Sequence, residues 1–244
     1  MGTQSAWKDA DVVKKYVENR RASFPYSIDQ ILVMLKLLHY NEKRISSFID
    51  LGTGDGILAQ LILQQYKEAY AYLLDFSQPM LDEAKKKMVK HKDNMQIING
   101  DLSSPDWQKQ IFKTLDEKVD AVVSGYTIHH LTHERKFELY SEIYSRLSDN
   151  GMFINLEHVS SRSPWGEMLA DEAFIDSGQA YEAKLGGKRT REEIAEEFHN
   201  RPDKKDNILL SGETQVDWLR IIGFKRVDIY FKSNDLAVFA GTKL

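Results

Sequence analysis

Short, nearly continuous hydrophobic runs alternate along the chain with longer segments that have the polar spacing of helices. Five runs have the length of strands: SSFIDL, AYLLDF, MQIING, DAVVSGY and MFINLEHV. Helices are predicted between them, over 57–66, 79–91, 106–115 and 133–147. Strands that are apolar on both faces and alternate with helices usually pair in parallel beneath two helical layers. The pattern therefore predicts a doubly wound α/β sheet.

The chain departs from this alternation at both ends. Residues 1–45 are predicted as an N-terminal helical arm, in which Ser27 caps the apolar helix SIDQILVMLKLLHY. Residues 160–207 contain no strand-like run and are predicted as a helical lid insert over the carboxyl edge of the sheet. Beyond them, a helix ending at Gly223 precedes two strands joined at 233–235. We therefore expect seven strands, mostly parallel, with a C-terminal antiparallel hairpin.

Composition restricts the kind of protein. The 244 residues are 42% hydrophobic and 29% charged, which favours one globular domain over 1–244. A net charge of -4 makes a nucleic acid partner unlikely, and the lack of cysteine removes thiolate nucleophiles and disulfides. No segment approaches the ~20 apolar residues that span a bilayer. We expect a cytoplasmic protein without a membrane partner, and a homodimer is left open.

The motif FIDLGTGDGIL places Gly52, Gly54 and Gly56 where the first strand turns into a helix. Glycine permits a sharp turn and also lets backbone N–H groups approach a ligand, so both interpretations stay open. Asp75 ends the next strand 19 residues after Gly56, close to the ~20 expected of a carboxylate that binds a ribose diol. Asp101 ends the third strand and suits an adenine amine. Three strand ends thus favour a nucleoside ligand.

The spacing of the glycines helps to choose that ligand. A dinucleotide site requires G-x-G-x-x-G, whereas this motif is G-x-G-x-G and has no neighbouring lysine or arginine for a phosphate. A nucleoside with an amino-acid tail fits better than NAD. The motif therefore favours S-adenosylmethionine as the cofactor.

DLGTGDG, together with LLDFS, NGDL, SGYTIHHL and LSDNGMFI, resembles the class I S-adenosylmethionine-dependent methyltransferases over nearly the whole chain. The resemblance implies a Rossmann-like fold, this cofactor and methyl transfer to a small-molecule acceptor. By the same resemblance, the loop around Asp50 holds the methionine part, Asp75 binds the ribose, and the next strand end meets adenine. The implied cofactor contacts are Asp50, Gly52, Thr53, Gly54, Gly56, Asp75, Phe76, Met80, Asp101, Leu102, Ser124, Gly125 and Tyr126.

Within that class, RRASFPYSIDQI and the C-terminal stretch DNILLSGETQVDWLRIIGF are similar to the carboxy-S-adenosylmethionine synthase subgroup. That likeness implies that Tyr26 closes over the cofactor. The synthase holds its extra carboxylate with an arginine in the late helix, and Trp218 stands at the matching position. A neutral indole cannot form that charged pair, and Arg220 points to another helix face. We expect a methyltransferase, with the synthase, carboxymethyl transfer in tRNA modification and a non-catalytic cofactor-binding subunit as alternatives.

Histidines follow the fourth strand where an acceptor is expected to approach. His129 and His130, and Glu157 at the end of the fifth strand, are the candidate catalytic residues, because an unperturbed histidine has a pKa near ~6.5. Packing of the loop is the alternative role. His129, His133, Glu157 and His158 match no metal motif, so no metal is expected. Aromatic residues of the insert are candidates for an apolar acceptor pocket or for ordinary packing: Trp165, Phe174, Tyr181 and Phe198.

Overall fold

The computed structural model describes residues 23–114 and 117–244. The first 22 residues of the predicted N-terminal arm lie outside them. The strands are β1 (Ser47–Leu51), β2 (Tyr70–Asp75), β3 (Met95–Asn99), β4 (Val119–Gly125), β5 (Leu147–His158), β6 (Lys225–Ser233) and β7 (Leu236–Thr242). The α-helices are α1 (Ser27–Tyr40), α2 (Ile57–Gln65), α3 (Gln78–Lys87), α4 (Trp107–Ile111), α5 (His133–Arg146), α6 (Pro164–Lys184), α7 (Arg191–His199) and α8 (Gly212–Ile222).

All seven strands form one sheet in the order β3-β2-β1-β4-β5-β7-β6. The first five pair in parallel, whereas β7 is antiparallel to both β5 and β6. The predicted Rossmann-like doubly wound fold and its C-terminal hairpin are therefore confirmed. Because β2 and β4 flank β1 on opposite sides, the strand order reverses there, and such points are where ligands bind in open α/β sheets.

The core divides into two clusters, one on each face of the sheet. Alternate strand residues contribute to each, so that Phe48 belongs to the cluster that includes residues of α1 and α2, whereas Ile49 belongs to the cluster that includes residues of α5 and α8. Trp107 and Tyr140 are the largest fully buried side chains of the second cluster. This burial on both faces explains why the strands lack a clear polar alternation.

Three local predictions need correction. Ser27 does not cap α1: the N-cap is Tyr26, in the left-handed conformation at φ 55°, and no side chain caps the helix. The helix expected over 106–115 is the shorter α4, because the chain is already extended at Phe112, whose ring packs under the Arg146 guanidinium at 4.5 Å. The helix expected over 79–91 ends at Lys87 and continues as a separate 3-10 turn, Val89–His91.

Between β5 and α8 the chain forms α6, α7 and a 3-10 turn, Pro202–Asp206. A capping box begins α7: the Thr190 side chain accepts from the Glu193 N–H, and the Glu193 side chain accepts from the Thr190 N–H. Among the described residues, no helix is long and apolar enough to cross a membrane. The assignment of 1–244 to a single domain stays a prediction.

Candidate active site

A cleft opens at the carboxyl ends of β1, β2 and β4, with an empty volume of about 930 Å³ that includes its open mouth. The glycine-loop wall consists of Gly52, Thr53, Gly54, Asp55, Asp75, Phe76 and Met80. The aromatic wall consists of Phe24, Ser27, Ile31, Tyr126, His130 and Leu156. Asp50, Leu58, Gly125 and Thr127 complete the lining. Both walls thus meet at the point where the strand order reverses.

The glycine loop requires glycine for two different reasons. Gly52 has φ 67°, and a Cβ atom there would lie 2.0 Å from Thr127 Oγ1, so the loops after β1 and β4 touch at this point. Gly54 has φ 55°, but a Cβ atom there would meet nothing closer than Met80 Sδ at 3.9 Å. Close packing therefore excludes a side chain at Gly52, whereas backbone conformation and space for a ligand explain Gly54.

Asp75 holds the loop from the next strand. Its carboxylate accepts hydrogen bonds from the Gly54 N–H (2.9 Å) and the Ser77 N–H (2.8 Å). Burial raises the pKa of this carboxyl, and those two backbone donors oppose the rise. Asp75, the residue predicted to bind the ribose, is thus a buried carboxylate in the cleft wall, and backbone N–H groups already orient it.

Two further carboxylates brace the loop from within. Asp50 Oδ2 accepts from Thr53 Oγ1 (2.8 Å) and from the Ala59 N–H at the start of α2 (3.2 Å). Asp55 forms an ion pair with Lys87 of α3. Three carboxylates therefore line the cleft, and among the described lining residues there is no lysine or arginine. This lining suits a cationic sulfonium cofactor better than a phosphate-bearing one.

The aromatic wall combines the start of α1 with the end of β4. Phe24 and Tyr126 pack with ring centroids 4.5 Å apart, and the Tyr126 hydroxyl donates to the buried Gln30 side chain. Tyr126 has φ 53°, a left-handed conformation that is unusual for a tyrosine. The hydrogen bond to Gln30 and the ring contact hold this side chain in place beside the cleft.

His130 is the histidine that lines the cleft. Its Nδ1 lies 3.2 Å from the Asp206 carbonyl oxygen, which can only accept, so Nδ1 carries the proton and Nε2 keeps a lone pair. Burial, followed by the neighbouring His129, lowers the pKa of His130 to about 4. The imidazole therefore stays neutral at physiological pH, which a general base requires.

His129 and Glu157 lie behind that histidine and outside the lining. His129 Nδ1 is 2.7 Å from Glu157 Oε1, which also accepts from the His158 N–H, while Glu157 Oε2 accepts from Asn155. Burial raises the pKa of Glu157 to about 7, and burial together with His158 and Lys136 holds the pKa of His129 well below its usual value. Both lie outside the cleft lining, and their catalytic roles stay predictions.

The remaining predicted site residues lie at different distances from the cleft. Gly125 lines it, Gly56 begins α2, and Ser124 is buried with its hydroxyl donating to the Leu51 carbonyl. Asp101 is exposed and accepts from the Ser103 N–H, and Leu102 belongs to the core. Tyr26 is 49% exposed and packs against Phe231, outside the lining. Their roles toward a cofactor stay predictions.

Trp218 does not lie beside the cleft. Its indole packs edge-on against Phe137 of α5, with centroids 5.6 Å apart, at the margin of the core. Because Trp218 lies outside the cleft lining, its identity does not indicate whether the cleft of this chain binds an extra carboxylate. The composition of the cleft lining is the better guide.

Some aromatic residues of the insert pack toward the cleft, and others are exposed or half-buried. Phe174 contacts Phe24 (4.9 Å) and stacks on Phe198 (5.5 Å), so it connects the aromatic wall with α7. Trp165 is 68% exposed, and Tyr181 is half-buried. No group of histidine, aspartate and glutamate side chains in the described part of the chain is arranged to hold a metal ion.

Sequence reasoning missed several lining residues. Phe24, Ser27 and Ile31 come from the start of α1, far from the strand ends in sequence, and only packing brings them to the cleft. Thr127 and Leu156 follow or end strands and could have been found by extending the strand-end argument to β4 and β5. Asp55 lies within the glycine motif itself, where its charge was a usable signal.

Known proteins resemble this chain in sequence and in fold. Residues 48–151 match the family model described as a methyltransferase domain. A carboxy-S-adenosyl-L-methionine synthase from Nautilia profundicola is 21% identical and is aligned over 96% of this chain and 93% of its own length. The family match covers the strands and loops that form the glycine-loop wall.

Two solved structures share the fold. A putative S-adenosyl-L-methionine-dependent methyltransferase from Methanococcus maripaludis has a TM-score of 0.62 at 20% identity, covering 100% of this chain and 97% of that one. PigF, solved with SAH, has a TM-score of 0.61 at 16% identity, covering 99% of this chain and 63% of that one. This chain thus spans less than two thirds of PigF but nearly all of the Methanococcus protein.

Proposed function

We propose that this chain, a class I S-adenosylmethionine-dependent methyltransferase, transfers the methyl group to a small, mainly apolar acceptor that loses a proton on methylation. Bound S-adenosylmethionine supplies a methyl group that is already activated, so the protein mainly aligns the reacting atoms. The observation that carries the proposal is the pairing, in one cleft, of a carboxylate-rich glycine-loop wall with an aromatic wall that bears one neutral histidine.

The glycine-loop wall supplies the features that S-adenosylmethionine needs. Asp75 would accept hydrogen bonds from the ribose hydroxyls, and the left-handed loop at Gly52 and Gly54 would present backbone groups to the amino-acid tail. Phe76 and Met80 would flank the adenine. The role of the protein here is to bind and orient, which it does with groups that are already held by β1, β2 and α3.

The aromatic wall determines the acceptor. Phe24, Ile31 and Leu156 present apolar surface, and the lining contains no side chain with a permanent positive charge among the described residues. This favours an uncharged acceptor over an anionic one, and the net charge of -4 disfavours a nucleic acid. His130 Nε2 would accept the proton of an acceptor hydroxyl. A cytoplasmic location and a homodimer stay predictions from the sequence.

Synthesis of carboxy-S-adenosylmethionine is the second candidate, because the similarity to the Nautilia synthase extends over almost the full length of both proteins. That reaction requires an extra carboxylate to be held near the sulfonium, and a lysine or arginine is the usual partner of a carboxylate. The described lining offers none. Methyl transfer therefore remains the first proposal.

Calorimetric titration with S-adenosylmethionine, its carboxylated analogue and NAD distinguishes methyl transfer from the synthase reaction. The titrations are repeated on the Asp75→Ala variant. We expect S-adenosylmethionine to bind and the variant to lose at least about 10-fold in affinity, because hydrogen bonds to a charged group contribute roughly 1.5–3 kcal/mol. Preference for the carboxylated analogue would favour the synthase, and binding of NAD alone would exclude both.

An acceptor screen completes the test. Purified protein and S-adenosylmethionine are incubated with uncharged phenols and alcohols, matched anionic acids and tRNA, and S-adenosylhomocysteine is measured. We expect turnover with the uncharged set. Cofactor binding without turnover on any set would favour the non-catalytic subunit instead.

A further inference from the structure

Two segments far apart in sequence are joined beside His130. The histidine turn is the 3-10 turn Ile128–His130, and the return segment is 206–210, where the chain leaves the insert. Three hydrogen bonds connect the histidine turn and the start of α5 to the return segment: Ile208 N–H to His129 O (2.8 Å), His130 Nδ1–H to Asp206 O (3.2 Å) and His133 Nε2–H to Leu209 O (3.2 Å).

A buried lysine closes this connection. Lys136 of α5 is fully buried, and its ammonium group donates to the carbonyl oxygens of Leu131 and Ile208. Leu131 follows His130 directly, and Ile208 lies two residues after Asp206. Removing an ammonium group from water is costly unless it is well hydrogen-bonded, so its two carbonyl partners are strongly held.

We propose that Lys136 is a positioning residue, which holds the return segment against the histidine turn and thereby keeps the Asp206 carbonyl on His130 Nδ1. This contact fixes the proton of His130 on Nδ1 and leaves the Nε2 lone pair available to an acceptor. The role rests on the proposed function only in so far as His130 is the base. The tautomer itself is a property of the protein without any ligand.

The glycine loop meets the histidine turn through Thr127, whose hydroxyl donates to the Gly52 carbonyl (3.2 Å), and this contact involves neither Lys136 nor the return segment. None of the residues of the glycine-loop wall hydrogen-bonds to the return segment in the described part of the chain. The charged and titratable groups that face His130 are His129 on its own turn, Glu157 of β5 and Asp203 of the Pro202–Asp206 turn. Loss of Lys136 should therefore alter His130 and leave cofactor binding unchanged.

The test is ¹⁵N NMR of the histidine rings, with the His130 signals identified by their absence in His130→Gln. In the unmodified protein we expect a protonated Nδ1 and an unprotonated Nε2, with no titration above pH ~5. In Lys136→Met we expect the Asp206 carbonyl to leave Nδ1, so that the proton averages between the two ring nitrogens. The His130 tautomer decides the test, because loss of the Lys136 charge alone would not move the proton from Nδ1 to Nε2.

Lys243 provides the matched control. Its ammonium group also donates to two backbone carbonyls, Tyr144 O (3.1 Å) and Leu147 O (3.0 Å), but near the opposite end of α5. Lys243→Met should leave the His130 signals unchanged, and S-adenosylmethionine should bind both variants within about threefold of the unmodified protein. If Lys136→Met does not fold, Lys136→Gln removes the charge and withdraws the donor by one bond while keeping a polar side chain.

The outcomes separate this proposal from the proposed function. An unchanged His130 tautomer in a folded Lys136→Met or Lys136→Gln variant would overturn the role of Lys136. An unprotonated Nδ1 in the unmodified protein would overturn the hydrogen-bond assignment on which it rests. Neither result depends on an acceptor, whereas the catalytic role of His130 is decided by turnover.

Discussion

The glycine-loop wall is formed by one stretch of the chain from the end of β1 to the start of α3, whereas the aromatic wall is assembled from the start of α1, the histidine turn and the ends of β4 and β5. In the first wall, Asp75 reaches Gly54 across 21 positions of sequence. In the second, the His130 ring depends on Asp206, 76 positions away. A cofactor wall formed by nearby residues can be kept while the acceptor wall changes, since the long-range contacts of the acceptor wall come from α1 and from the exit of the insert.

The largest expected effect separates the two walls by function. His130→Gln should lower kcat with a hydroxyl acceptor by about 10²–10⁴-fold, because general base catalysis contributes this much. The dissociation constant of S-adenosylmethionine should stay the same, since His130 makes no hydrogen bond to the glycine loop. Steady-state kinetics and calorimetry on one preparation measure both quantities. A kcat within threefold of the unmodified protein would remove His130 from the mechanism.

The same contrast explains what could be predicted from sequence. Asp75, Gly52 and Gly54 lie at the cleft as expected, because strand ends in a parallel sheet meet at one edge. Asp101 was expected beside them, but its carboxylate accepts from the Ser103 N–H (2.8 Å) and the side chain is exposed. A single sequence does not specify how a loop turns after its strand.

The aromatic wall was less accessible to sequence reasoning. Phe24 reaches Tyr126 through the packing of α1 on the sheet, a contact across about a hundred positions that no local pattern specifies. Trp218 was matched by resemblance to the arginine that holds the extra carboxylate in the synthase, yet it packs on Phe137 outside the cleft lining. The helix that ends at Gly223 was predicted, but the sequence did not indicate which neighbour its side chains meet.

The next prediction concerns the contact between Gly52 and Thr127, where the loops after β1 and β4 touch, and its effect on the free energy of unfolding. Gly52→Ala introduces a Cβ atom 2.0 Å from Thr127 Oγ1 at φ 67°, so both overpacking and backbone strain apply. Together they should lower the free energy of unfolding by about 2–5 kcal/mol. The matched variant Gly54→Ala, with φ 55° and no close neighbour, should lose only about 1–2 kcal/mol.

Urea denaturation of both variants measures these losses. Gly52→Ala should also weaken S-adenosylmethionine binding, because the displaced Thr127 side chain lies between the walls. Equal losses in the two variants would show that backbone conformation alone, rather than contact between the loops, explains the glycine at position 52.

The smallest effect concerns the buried groups behind the aromatic wall and appears as a pH dependence. The pKa of Glu157 rises from its ordinary value of 4.5 to about 7 on folding, so the folded state binds more protons between these values. Its contribution to stability is complete below pH ~4.5 and is lost as the pH rises through ~7. Glu157→Gln should therefore gain stability relative to the unmodified protein over that window, by at most about 3 kcal/mol.

His130 provides the opposite sign in nearly the same window. Its pKa falls from 6.5 to about 4 on folding, so here the unfolded state binds more protons and stability is lost as the pH decreases below ~6.5. Relative to the unmodified protein, His130→Gln should gain stability toward acid, whereas Glu157→Gln should gain it toward neutral pH. Urea denaturation between pH 4.5 and 7.5 measures both differences. If stability changes with pH in the same direction for both variants, Glu157 and His130 titrate as one unit, and burial does not act on each group separately.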